Sequence, residues 1–146
     1  MMKRRDEVRL GRLLRVRSFQ LDQARAEEIS AIERASSAAA LAARIASLSQ
    51  DVAPREGPGQ GITLAAASHY RHRLAKSQEE AQRRVATTRS QLDAAREATG
   101  AAKRDHGVIE KLIERELSAQ AADARRALEN APHPTHALAR SLRRSG

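Results

Sequence analysis

The chain has 146 residues, no cysteine, no tryptophan, a single phenylalanine and a single tyrosine, and a formal net charge of +9. Without cysteine there is neither a disulfide nor a cysteine metal site, and so few aromatics leave little material for a thick globular core. Charged residues make up 31% of the chain, and Ala, Arg, Leu and Glu dominate, a composition that points to long helices or a coiled coil.

The first predicted element is a helix over about residues 3–50. It opens MMKRRDEVRLGRLLRVRSFQ, with seven Lys or Arg and two acids in twenty residues. A helix N-terminus is already the positive end of the peptide dipole, so Lys3, Arg4 and Arg5 work against local stability while Asp6 and Glu7 suit it. Leu10, Leu14, Leu21, Ile32, Leu41, Ile45, Leu48 and Val52 form the expected apolar stripe. Its last four members step by 4, 3 and 4, a coiled-coil spacing, whereas Leu10, Leu21 and Ile32 step by 11. At 100° per residue, Arg4, Arg5, Arg9, Arg12 and Arg15 fall opposite the leucines, with Val8, Val16 and Phe19 among them. A basic face with apolar points reads as a docking surface.

The segment DVAPREGPGQG then carries two prolines and three glycines, and no helix survives that density of breakers. A loop is expected over 51–62. The second helix is expected over about 63–130, with Thr63 as a candidate N-cap. Its seam reads clearly. Leu74, Ala81, Thr88, Ala95, Ala102 and Ile109 fill one heptad position, and Gln78, Val85, Leu92, Thr99, His106 and Ile113 fill the other. Gly100 and Gly107 are expected on the outer face. Pro132 and Pro134 close the helix, and 132–146 reads as a disordered basic tail with Arg140, Arg143 and Arg144.

Two long helices around one break imply an all-α, antiparallel coiled-coil hairpin over 1–131, with the second helix longer than the first. Folding about residue 57 places Met1 to Lys3 opposite roughly 111–113. The second helix then overhangs, leaving Leu112, Ile113, Leu117 and Leu128 without an intrachain cover.

The seventeen cations and sixteen anions of 21–134 nearly balance, so the excess charge sits at the two termini. Nucleic acid, an anionic membrane surface or an acidic protein could each meet a basic face. Single-strand binding also draws on aromatic platforms, and only Phe19 and Tyr70 are present.

No catalytic constellation is legible. GPGQG lacks the Lys-Ser/Thr of a phosphate loop. His69 with His72, and His133 with His136, are three apart but lack a metal-site context. Asp105–His106 has no nucleophile nearby. The expectation is a noncatalytic protein with no cofactor, metal or small-molecule substrate. Neither an apolar secretory stretch nor a run of about 20 apolar residues is present, so a cytoplasmic location is expected.

LGRLLRVRSFQLDQARAEE (10–28) and RDHGVIEKLIERE (104–116), taken with the length and the position of the break, resemble the flagellar FliJ family. The resemblance implies a coiled-coil component of the flagellar type III export apparatus, similar in shape to the γ stalk of rotary ATPases. It implies binding to the ring of the export ATPase FliI, contact with the export gate protein FlhA, and escort of export chaperones. It further implies peripheral association with the cytoplasmic face of the inner membrane through that apparatus. Carried over onto this chain, the ring-entering end comprises Arg5, Arg9, Arg12, Leu13, Arg15, Leu112, Ile113 and Leu117. The alternatives from composition alone are a basic nucleic-acid- or ribosome-associated helical protein, or a generic coiled-coil scaffold.

Overall fold

A computed structural model describes residues 2–51 and 61–132, with side chains from residues 4 and 64 onward. Residues 52–60 of the loop expected over 51–62, Val52 included, and the tail from 133 lie outside the described residues; Asp51, Gly61 and Ile62, expected in that loop, are helical. Two helices account for nearly all the rest: α1, Met2–Asp51, and α2, Gly61–Asn130. No strand occurs among the described residues. Both helices lack proline, and their Ala, Leu, Arg, Glu and Gln residues lose little side-chain freedom in a helix. The second helix begins two residues before Thr63, which is therefore part of the helix and not its N-cap.

The chain is all-α, built from two long helices that pack on each other. Its described residues divide into two compact units, one formed by 17–51 with 61–105 and the other by 2–16 with 106–132. Within 17–105 the helices run antiparallel. Arg17 meets Asp105 at 3.5 Å, and the Thr99 hydroxyl lies 3.2 Å from the Ala24 carbonyl, sharing its one proton between it and the Ala95 carbonyl of its own helix at 3.0 Å. The residue numbers of these pairs add to 122 and 123, against 114 for a fold about residue 57. The observed register is thus longer by more than a heptad.

The same register holds inside the terminal unit. Gln120 donates its amide to the Glu7 carboxylate, and Leu10 lies across a groove from Ile113. The expected overhang of Leu112, Ile113 and Leu117 is accordingly not found. They lie alongside the first turns of α1, and only about the last two turns of α2 run past its start. The extra length of α2 falls instead at its beginning, where 61–71 precede the position opposite Asp51. The physical reason lies in the seam. This register sets Leu10 and Leu14 against Ile113 and Ile109, four large apolar residues, and puts Arg17 beside Asp105. One heptad shorter, Leu10 would face His106 and Leu14 would face Ala102.

The second helix follows its expected seam. Leu74, Ala81, Thr88, Ala95, Thr99 and Ile109 are buried, with the other seam residues half-buried. The first helix departs from expectation. Its buried residues are Leu21, Ala31, Ala38 and Ala42, with Leu10, Leu14, Ala24, Ala35 and Ile45 half-buried. With half-buried Arg17 and Glu28 filling the gaps at 14–21 and 24–31, these keep a strict 4-3 alternation, so the 11-residue drift is absent. Ile32, Leu41 and Leu48, expected on the stripe, flank it and are each 43% exposed, while Ala31 is 1% exposed. Small residues at these positions let the backbones approach: in this register Ala31 and Ala38 fall opposite Leu92 and Val85, while Ala24 meets Thr99. Gly100 and Gly107 are half-buried beside Thr99 and His106, not on the outer face. No large side chain is fully buried among the described residues, in keeping with a core one seam thick.

Candidate docking face

In the terminal unit, α1 turns Leu10 and Leu14 toward α2 and its arginines away. The positions of Leu10 and Leu14 on the helix are close to opposite those of Arg5, Arg9, Arg12 and Arg15. All five arginines from Arg4 to Arg15 are exposed. Arg4, Arg5, Val8, Arg9 and Arg12 line one shallow groove of about 360 Å³, formed by α1 alone. Val8 is 54% exposed and Val16 51% exposed, so both valines stand in solvent on the arginine side.

The local electrostatics follow from sequence spacing. From residue 8 to 21 there are four arginines and no acid. The first turn of α1 contains no acidic residue, and Glu7 is engaged with Gln120. Among the described residues none of the five arginines makes a hydrogen bond or ion pair. Farther along, cations and anions are matched: Arg34 pairs with Glu27 at 2.9 Å and Arg83 with Glu79 at 4.0 Å. Asp6 stands exposed beside Arg5, and among the described residues it makes no ion pair with the arginines, so the N-terminal face is a net concentration of positive charge.

A second feature lies beside it. Glu7, Leu10, Gly11, Ile113, Glu116 and Leu117 enclose a groove of about 270 Å³ between the helices. Gly11 lines it, and a Cβ there would meet nothing within 4 Å. Leu117 is 59% exposed at the rim. The residues expected to act together therefore divide. Arg5, Arg9, Arg12 and Arg15 share the outer side of α1, with exposed Leu13 at its edge. Ile113 and Leu117 join Leu10 and Gly11 at the interhelical groove. Leu112 is exposed on the opposite flank of α2 from Leu117. The groove residues Glu7, Leu10, Gly11 and Glu116 were not anticipated. The signal for them was available in the heptad frame, which places Gly11 and Leu117 at flanking positions of neighbouring turns.

His106 occupies a seam position and pairs with Glu110 at 3.2 Å. No group of three His, Cys, Asp or Glu side chains suited to a metal occurs among the described residues. No helix among them is long and apolar enough to cross a membrane. Compared with known protein families, curated proteins and solved structures, the chain matches none.

Proposed function

We propose that this chain is a noncatalytic, stalk-like component of a flagellar type III protein export apparatus. It binds the export ATPase ring, promotes its assembly and activity, and escorts export chaperones. The observation that carries this reading is the union of the start of α1 and the end of α2 in one compact unit, beneath an arginine face that makes no ion pair among the described residues. A stalk entering a ring needs a paired helical end, and charge steers such an end toward an acidic rim. Arg5, Arg9, Arg12 and Arg15 supply the charge, and Leu13, Leu112, Ile113 and Leu117 supply apolar contact. FlhA and the export chaperones are the further partners of this reading, at the cytoplasmic face of the inner membrane.

The test is the ATP hydrolysis rate of the same organism's flagellar export ATPase, with and without the chain, near physiological salt. Stimulation at near-stoichiometric amounts, lost in the Arg5→Glu/Arg9→Glu/Arg12→Glu variant, supports the proposal. Absence of both stimulation and co-assembly refutes it.

A second reading, a basic nucleic-acid-associated protein, draws on the same unpaired arginines. It requires binding to unrelated duplexes that falls steeply with salt.

A further inference from the structure

We propose that the arginine face of α1 binds anionic phospholipid surfaces directly, through Arg4, Arg5, Arg9, Arg12 and Arg15, with Val8 and Val16 entering the headgroup layer. This inference is independent of the export reading and needs no other protein.

Three observations favour a lipid surface. The face combines charge with apolar points, because Val8 and Val16 stand more than half exposed among the arginines. Nucleic-acid phosphates would neutralise the guanidinium groups yet leave both valines in water, whereas a bilayer interface accepts both kinds of group. The face is also carried by one helix, with its groove lined by α1 residues only. A helix lying in an interface plane likewise presents residues of a single helix to the surface. Finally, the arginines flank the valines around the helix. Their long aliphatic stems can lie along the apolar layer while the forks reach phosphate oxygens.

The charge is also available for this purpose. No internal ion pair must be broken before the face meets an anionic surface, since the five arginines have no partner among the described residues. Interaction with an anionic leaflet amounts to about a five-fold gain in binding per basic residue near the surface. Five arginines together give measurable binding without a deep apolar insertion.

The experiment is co-sedimentation of the full chain with extruded vesicles of phosphatidylcholine alone, and of phosphatidylcholine with a quarter phosphatidylglycerol. Binding is expected to the mixed vesicles and not to the neutral ones, and should weaken as salt rises. The Arg5→Gln/Arg9→Gln/Arg12→Gln variant should bind about a hundred-fold more weakly, three five-fold losses compounded. The Val8→Ser/Val16→Ser variant keeps every charge and should still lose about ten-fold, from two half-buried side chains no longer entering the interface. Circular dichroism should show both variants as helical as the parent, since all five substituted positions are exposed. Equal binding to neutral vesicles, or undiminished binding by the arginine variant, would overturn the proposal. So would preference for a random-sequence DNA duplex that the valine variant binds as well as the parent, which would assign the face to nucleic acid.

Discussion

Two neighbouring substitutions distinguish the alanine seam from the larger apolar residues beside it. Ala31 is 1% exposed and Ile32 is 43% exposed, both in α1 within the 17–105 unit. Asp at either position introduces the same charge and the same short, poor helix-forming side chain, so propensity and net charge nearly cancel in the comparison. At position 31 the carboxylate enters a site that is 1% exposed, with no seam cation within its own turn. Burying an unpaired charge costs several kcal/mol even after relaxation, so Ala31→Asp should lose at least about 3 kcal/mol. At position 32 the carboxylate can remain hydrated. The loss there is a little over half of an isoleucine's burial, about 1.5 kcal/mol. For a unit of this size each kcal/mol shifts Tm by about 4–8 °C, so Ala31→Asp should melt roughly 10 °C below Ile32→Asp. Thermal unfolding followed by far-UV circular dichroism reads this directly. If Ile32→Asp were the less stable of the two, α1 would pack on its large residues, and the strict heptad frame described above would be wrong.

Other expectations concern register, the groove and the charged face. Thr99→Val removes the hydroxyl that reaches the Ala24 carbonyl across the seam. It should cost about 1 kcal/mol, read as a lower urea midpoint; no change would mean that this bond does not help hold the register. Gly11→Ala puts a methyl into open space and should stabilise by up to about 1 kcal/mol through helix propensity, visible as a higher Tm. The same substitution narrows the groove, so any ligand seated beside Leu117 should bind more weakly. Arg5→Glu/Arg9→Glu/Arg12→Glu should leave helicity nearly intact while abolishing stimulation of the export ATPase. A large loss of circular dichroism would instead make those arginines structural.

Much of the fold was legible because its cause is local. Proline and glycine density in DVAPREGPGQG interrupts any helix, and the uninterrupted stretches on either side contain strong helix formers. The α1 and α2 boundaries therefore fell within two residues of expectation. The seam of α2 was legible because its heptads hold without a break from Leu74 to Ile113. The seam of α1 was misread at Ile32, Leu41 and Leu48. Hydrophobic size is a poor sign of burial there, because alanine suits a close helix contact better than isoleucine does. The arginine face was also legible, being a property of spacing on one helix.

By itself, then, the sequence determined which segments are helical, which side of α1 is charged, and that no thick core could form. Those features depend on residues within a few turns of one another. Which alanines lie in the seam, how far α2 slides along α1, and whether Ile113 and Leu117 are covered were decided only by tertiary packing. The reason is that heptad patterns on two helices are compatible with several registers seven residues apart. The choice among them depends on distant pairs such as Leu10 with Ile113, Arg17 with Asp105 and Thr99 with Ala24. No local pattern records those pairs, and they place the Leu10–Ile113 groove beside the arginine face.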